Sequence, residues 1–551
     1  MPIETLLSVI VVFTHLKDNT RPARLGSVSP DLCKFMSQKY KCFLYDMGRI
    51  SPNKLIHGET SHLHALPHFF LGEFSRNNMQ TSRNTPSLLT RLLRTRPVTQ
   101  SEESDNTGTL RRTISLFQLT MLGVGATIGT GIFVILGDAV PKAGPGVVLS
   151  FIIAGITAGL TALCYAELAS TIPASGSSYS YTYATMGEMV AYLVGWCLLL
   201  EYGISASAIA VGWGQYLNEL AFDLIGYRMP DAIANPPGVN GGVFNLPAVV
   251  LVLMCCVLLI RGAQESARAN AIMVVVKIAV LIMFILIGMT AFHSANLHPF
   301  MPMGISGVGA AASSIFFSYI GIDAISTASE EVKNPRRNIP LAILISLGIV
   351  TTLYVLVALI GVGTQPYTEF SGNEAGLVQI LRRITGATWP GIILSMGAII
   401  SIFSITLVVL YGQTRILYAM ARDGMLPKVF ARVNPKSQTP VQNTIVVSVL
   451  VAVAAALVPL DVLADLTSMG TLVAFGIVSA GVMILRRTRP DLKRGFKVPL
   501  FPLIPVLSVL FCLYLIAGLP HETFYLFGAW LVFALVFYFS YSMRHSTLEN
   551  P

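Results

Sequence analysis

Gly123-Val-Gly-Ala-Thr-Ile-Gly-Thr-Gly-Ile-Phe133 places four glycines in the nine positions from Gly123 to Gly131 of an otherwise apolar run. That run, residues 114–136, is long enough to cross a bilayer, which takes about 20 apolar residues as a helix. Glycine costs about 1 kcal/mol relative to alanine in a helix interior. Such a density predicts a membrane helix interrupted near its middle. A second reading is close packing against a neighbouring helix, because Gly125 and Gly129 have small-xxx-small spacing. The two are compatible.

Composition puts the rest of the chain in the same setting. Of 551 residues, 53% are hydrophobic and 12% charged, where a soluble domain carries about 25% charged residues. Mean hydropathy is +0.66. Twelve spans are expected, at 114–136, 147–170, 188–217, 245–261, 269–292, 309–330, 340–363, 389–416, 442–459, 466–485, 499–518 and 524–543. The net charge of +9 would suit a nucleic-acid binder, but its placement does not. With the N-terminus inside, only Lys142, Arg228, Arg382 and Arg383 fall outside. Arg111, Arg112, Arg261, Lys333, Arg422 and the basic run from Arg486 to Lys497 fall inside. This asymmetry predicts both termini in the cytoplasm, and no nucleic-acid partner.

Residues 1–110 mix charges with Ser, His, Asn and Pro and lack helical periodicity, predicting a mostly disordered cytoplasmic tail. Residues 6–13 are apolar but few, follow Glu4 and lack a small-residue cleavage pattern, so no signal peptide is expected. A mis-assigned start codon, with the working protein beginning near Gln100, is the alternative account of this segment. Residues 111–543 form the twelve-helix domain, and 544–551 a short C-terminal tail. Cys164, Cys197, Cys255, Cys256 and Cys512 fall within spans, and Cys33 and Cys42 in the tail. The loop from Asn218 to Phe244 has no cysteine, so no disulfide-linked heavy chain is expected.

A second interruption lies in span six, at Phe316-Phe-Ser-Tyr-Ile-Gly-Ile-Asp-Ala324, where Gly321 and Asp323 break an apolar run. Two interrupted segments five helices apart point to an inverted repeat with a substrate site near the midplane. Spans one to five and six to ten would be related by an axis in the membrane plane, with spans eleven and twelve additional. A break frees N–H groups at the start of one half-helix and carbonyls at the end of the other. The first attract a carboxylate and the second an ammonium. Facing breaks therefore suit the backbone of an α-amino acid, and Gly129 and Gly131 admit it without Cβ interference.

Lys277 sits within the apolar residues 271–284 of span five. A lone ammonium there costs about 2.5–3.5 kcal/mol, so it faces a protein interior, a carboxylate or a solute path. Desolvation disfavours the charged form of a buried amine, which suits a proton carrier. The alternatives are a snorkelling lysine and a permanently charged strut. Glu201 follows Leu198-Leu-Leu200 and is equally deep; it pairs either with a cationic substrate or with a neighbouring helix. For Asp323, capping the lower half-helix is a sufficient structural account. Glu167 and the pair Glu330-Glu331 make gate or loop-ordering contacts, or form a solvated charged face. Arg415 anchors or caps a helix end.

Seven segments together resemble one family. They are Gly125-Ala-Thr-Ile-Gly-Thr-Gly-Ile-Phe133, Tyr165-Ala-Glu-Leu-Ala169, Pro173-Ala-Ser-Gly-Ser-Ser-Tyr179, Gly195-Trp-Cys-Leu-Leu-Leu-Glu-Tyr202, Phe317-Ser-Tyr-Ile-Gly-Ile-Asp323, Glu330-Glu-Val-Lys-Asn-Pro335 and Tyr411-Gly-Gln-Thr-Arg415. In this order, from about Leu116 to Phe539, the chain resembles the cationic amino acid transporter family of the amino acid/polyamine/organocation superfamily, in its bacterial twelve-helix form. The resemblance implies an all-α membrane protein of LeuT-type fold, a 5+5 inverted repeat with two additional C-terminal transmembrane helices and broken helices 1 and 6. It also implies roles. Ile128, Thr130 and Gly131, around Gly129, match residues whose backbone holds the substrate's charged groups. Phe317 and Ile320 match carbonyl donors to the ammonium, and Phe317 or Tyr319 the gating aromatic. Lys277 matches a lysine whose ammonium takes the place of a sodium ion in proton-coupled relatives. Glu201 and Asp323 match further residues of the polar centre.

The implied function is a secondary active permease of the plasma membrane, taking up cationic and/or small neutral amino acids with protons by alternating access. An exchanger or a non-transporting amino acid sensor would use the same site. An enzyme is not expected: no His/Cys/Asp cluster has metal spacing, and the glycines do not follow a strand as in a nucleotide loop. No Gly-Lys-Ser/Thr motif marks a nucleotide-driven pump, and single, asymmetric polar residues do not form a channel filter. No catalytic residue, metal or cofactor is expected, the proton gradient being the energy source. The expected partners are an amino acid, protons and membrane lipids, with Arg486 to Lys497 as an anionic-lipid contact.

Overall fold

The computed structural model describes residues 92, 94–95, 114–172, 177–262, 267–328, 331–370, 375–434 and 439–547. The expected disordered tail lies outside this set except for residues 92, 94 and 95, and so does Glu330.

Each expected span coincides with a helix. Among the described residues, nine helical stretches are long and apolar enough to cross a membrane. The other three, Leu246–Ile260, Val441–Leu457 and Leu503–Ala517, have 15, 17 and 15 residues. At 1.5 Å per residue they are about 22–26 Å long, a little short of the ~30 Å hydrocarbon layer. Pro247, Pro440 and Pro502 mark their starts. A proline there spends an N–H that has no intrahelical acceptor anyway. The described residues are all-helical, and the protein is a multi-pass membrane protein.

Span one begins at Leu116 through a reciprocal cap. The Gln118 N–H donates to Ser115 Oγ at 3.3 Å, and the Ser115 N–H to Gln118 Oε1 at 3.0 Å. Span three, Glu188–Ile225, is the longest single helix among the described residues at 38 residues and closes at Gly226 in the left-handed conformation. It is the buried column, packed on span eight (Trp389–Arg422) and span ten (Leu460–Thr488). Span seven (Pro335–Thr364) lies along spans one and two, and span five (Ala267–Met289) along spans one and eight. The interruptions of spans one and six are thereby enclosed by protein.

At the far end of span three, Arg382 on the short helix Gly376–Thr385 reaches Glu219 at 3.1 Å and Asp223 at 2.5 Å, and Arg228 reaches Glu219 at 3.3 Å. Three of the four basic residues expected outside thus pin loops: these two, and Arg383 on Glu369. The described cysteines are all buried.

Candidate functional site

Span one is a helix over Leu116–Thr127 that resumes at Thr130–Val134 and continues through Ile135 into Leu136–Ala143. Ile128 is extended (φ −73°, ψ 94°) and Gly129 lies off the helical region (φ −143°, ψ −143°). The carbonyls before the break lose their intrahelical donors, and other spans supply replacements. Lys277 Nζ donates to the Gly125 carbonyl at 2.9 Å, Tyr354 Oη to Thr127 at 2.8 Å, and Ser401 Oγ to Ile128 at 3.3 Å. Spans five, seven and eight therefore each hold one carbonyl of the interrupted backbone.

Lys277 is fully buried. A charge-assisted hydrogen bond is worth about 1.5–3 kcal/mol, close to the cost of placing the ammonium there. The close approach needs Gly125, where a Cβ would stand 2.7 Å from Val274 Cγ2 and 3.0 Å from Asn270 Oδ1 of span five. Both readings of the glycine-rich stretch hold: Gly125 permits packing, and Gly129 accompanies the break.

Span six runs as a helix over Gly304–Ile315, tightens at Phe316–Tyr319, opens at Ile320 (φ −64°, ψ 146°) and Gly321 (φ +98°), and resumes at Ala324–Thr327. The two interruptions meet. A Cβ on Gly321 would strike the Ala126 carbonyl, and one on Gly131 would strike Ser318. Gly321 combines a left-handed φ with this contact, so only glycine fits. Ile128, Phe317 and Ile320 are buried around the junction, and Ile405 of span eight covers Gly129, lying 2.6 Å from where its Cβ would be. Of the Phe317 and Ile320 carbonyls, that of Phe317 already accepts the Ile320 N–H at 3.4 Å. Tyr319 points elsewhere, its hydroxyl donating to the Phe151 carbonyl of span two at 3.0 Å and its ring edge-on to Tyr354.

Asp323 does not cap the lower half-helix with its side chain. Its Oδ2 instead accepts from Tyr202 Oη at 2.8 Å and Ser177 Oγ at 3.4 Å, and Ser177 also meets Tyr165 Oη and Ser326 Oγ. The carboxyl thus ties span six to span three and to the short helix Ser177–Thr185. Glu201, next to Tyr202, is fully buried, and neither of its oxygens has a hydrogen-bond partner among the described residues. The polar centre has two foci: Lys277 on the carbonyls of span one, and the Glu201, Tyr202 and Asp323 group between spans three and six. Tyr354, Ser401 and Ser177 were not singled out in the sequence. A hydroxyl inside an apolar run is the signal that could have found the first two.

Two other charged candidates are held by neighbouring groups. Glu167 is buried, not solvated: Arg486 grips it by Nε at 2.8 Å and Nη2 at 2.5 Å, the Val498 N–H donates at 2.7 Å, and Arg494 lies at 3.4 Å. It orders the loop after span ten. Arg415 stacks on the Tyr411 ring, 4.3 Å from its centroid. Glu188, at the start of span three, accepts from Arg94 (3.1 Å), Tyr183 (3.2 Å), Tyr538 (3.1 Å) and Ser546 (2.6 Å). Burial, with the Glu188 carboxylate beside it, pushes the Tyr183 phenol up.

The amino acid permease profile matches residues 114–541. A methylthioribose transporter of Bacillus subtilis is 43% identical over 463 residues, 83% of this chain and 99% of that protein. A branched-chain amino acid permease of the same organism is 44% identical over 444 residues, covering 80% and 95%. Cationic amino acid transporter 4, vacuolar, of Arabidopsis thaliana is 38% identical over 396 residues, covering 71% and 66%. The matched region takes in both interruptions and every span, and the chain belongs to the amino acid permease family of the amino acid/polyamine/organocation superfamily.

Proposed function

We propose that the protein is a secondary active amino acid permease of the plasma membrane, with both termini cytoplasmic, that couples uptake to protons by alternating access. The single observation that carries this is the contact between two interrupted helices beside the buried Lys277, whose ammonium sits on the Gly125 carbonyl. Around Ile128, Gly129, Thr130 and Gly131, N–H groups at the start of the second half of span one receive the substrate carboxylate. Carbonyls of span six, at Phe317 and Ile320, receive its ammonium. Phe317 is the gating aromatic, since Tyr319 is held in the core.

A LeuT-type 5+5 repeat, with spans eleven and twelve additional, agrees with the packing. Span two lies on span seven and span three on span eight. Five-apart helices that pack on each other suit a two-fold axis running between them. Lys277 acts as the proton carrier, and Glu201 and Asp323 complete the polar centre; an ionised Glu201 without partners would cost several kcal/mol, so it receives a proton or a substrate cation. Apolar side chains around the break, Ile405 foremost, favour a neutral apolar amino acid. The branched-chain permease relative agrees; a cationic substrate would instead use Glu201.

The test is uptake into proteoliposomes under an imposed pH gradient. Accumulation driven by the gradient is expected, and lost in Lys277→Ala. Wild-type accumulation in that variant would reject the proton role of Lys277. Flux that occurs only by exchange, whatever the gradient, would mark an exchanger, and binding without flux a sensor. Competition of labelled leucine uptake by leucine, alanine and arginine separates neutral from cationic substrates.

A further inference from the structure

Far from the Glu188 end, a polar chain crosses three spans. Lys142 closes the second half of span one, in the helix Leu136–Ala143, and its Nζ donates to Asp138 Oδ2 at 2.7 Å and to Ser314 Oγ at 2.9 Å. Ser314 stands in the last turn of Gly304–Ile315, just before the interruption of span six. Its hydroxyl in turn donates to Asp465 Oδ1 of span ten at 2.8 Å. Ser314 and Asp465 are buried, while Lys142 and Asp138 are half-buried.

The hydroxyl is polarised from both sides, accepting from an ammonium and donating to a carboxylate, which strengthens both bonds. Three residues of helix, about 4.5 Å, separate Ser314 from Phe317, so the chain lies directly over the interruption. The opposite end of the two broken spans is built differently. There the Ile114 N–H donates to the Glu331 carbonyl at 3.0 Å and the Lys333 N–H to the Ile114 carbonyl at 2.9 Å. Those main-chain bonds join spans one and six to each other. The Lys142 chain joins both to span ten, which packs along span three. Any opening towards the interruptions on the Lys142 face, between span ten and the broken pair, has to separate Ser314 from Asp465.

We propose that Lys142, Ser314 and Asp465 form a clasp that closes the pathway on the Lys142 face and opens once in each transport cycle. This rests on the alternating-access reading above. These are positioning residues: the clasp holds helices, and the amino acid is bound at the interruptions.

The test places a single cysteine at Ser318, beside Gly131, in the full chain with its seven native cysteines replaced by serine. It reads the rate of modification by a membrane-impermeant thiol reagent added from the Lys142 face. Asp465→Asn and Lys142→Gln should raise that rate about tenfold, the population shift that follows from losing a charge-assisted hydrogen bond, whereas Lys142→Arg should match the parent. Unchanged labelling in both neutral variants overturns the clasp. Independently, the pair Ser314→Cys and Asp465→Cys, oxidised to a disulfide, should stop uptake, and reductant should restore it. Uptake at the parent rate by the cross-linked protein also overturns it. A parent that binds amino acid without moving it would sink alternating access instead, and the labelling contrast would still report on the clasp.

Discussion

Single residues decide where the backbone can depart from helix. Gly321 is held in a left-handed conformation with the Ala126 carbonyl where a Cβ would be, so Gly321→Ala meets strain and a clash together. Backbone strain of this kind costs about 1–3 kcal/mol. Thermal unfolding in detergent should show a loss of that order, and uptake should fall to background, because the two interruptions can no longer touch. Gly238 is the control: its φ is +88° but open space surrounds it, so Gly238→Ala should be destabilising by strain alone and retain uptake. Equal uptake by the two variants would show that the contact at Ala126 is not needed. Tyr354→Phe isolates a hydrogen bond without altering volume. Removing its hydroxyl from the Thr127 carbonyl should cost about 1 kcal/mol of stability and lower uptake, with wild-type behaviour in both assays refuting the role given to span seven.

Between elements, buried carboxylates do what surface pairs cannot. Glu188 gathers donors from Arg94, the helix Ser177–Thr185, the end of span twelve and Ser546 beyond it. The same C-terminal segment also lies on the turn after span eight, where Ser542 Oγ donates to the Met425 carbonyl at 2.6 Å and the Thr547 N–H to that of Asp423 at 3.2 Å. Removing one side of a buried polar set leaves its partners unpaired and costs about 3–5 kcal/mol, whereas exposed pairs contribute about 0–1 kcal/mol. Glu188→Ala should therefore lower the unfolding temperature by many degrees, and Arg383→Ala, which breaks the exposed pair with Glu369, should hardly move it. Similar shifts in the two variants would contradict the burial argument. Glu167 was read as a gate or loop-ordering contact and is one, held by Arg486 and the Val498 N–H, whereas Glu188 was not legible as a fastening. The sequence shows a charge at a helix end, and its four donors come from positions up to 358 residues away.

At the scale of the whole chain, hydropathy and glycine content carried the architecture because each membrane span must satisfy its own backbone and announce itself as an apolar run. Both interruptions fell inside the stretches read as broken, with the first at Ile128 and Gly129 rather than spread over all four glycines. Gly125 went to packing against span five, a distinction that needs the neighbour to be known. The residues that cover the freed carbonyls, Tyr354 and Ser401, show in the sequence only as hydroxyls inside apolar runs, with nothing to say which carbonyl each one meets. Asp323 was placed in the polar centre with helix capping as the structural alternative; its side chain does not cap, and its tie to Tyr202 could not be read because the tyrosine arrives from span three. The amino acid permease profile starts at residue 114, yet Arg94 already belongs to the Glu188 cluster. A truncation series separates the two boundaries. Deleting residues 2–91 keeps Arg94 and every described contact of the spans, so stability and uptake should stay within about twofold of the full chain. Deleting residues 2–95 removes the Arg94 guanidinium from Glu188 and should lower the unfolding temperature, with the loss absent when Glu188→Gln is already present. A drop of equal size in that background would mean that the segment around Arg94 stabilises the protein by some contact other than this one.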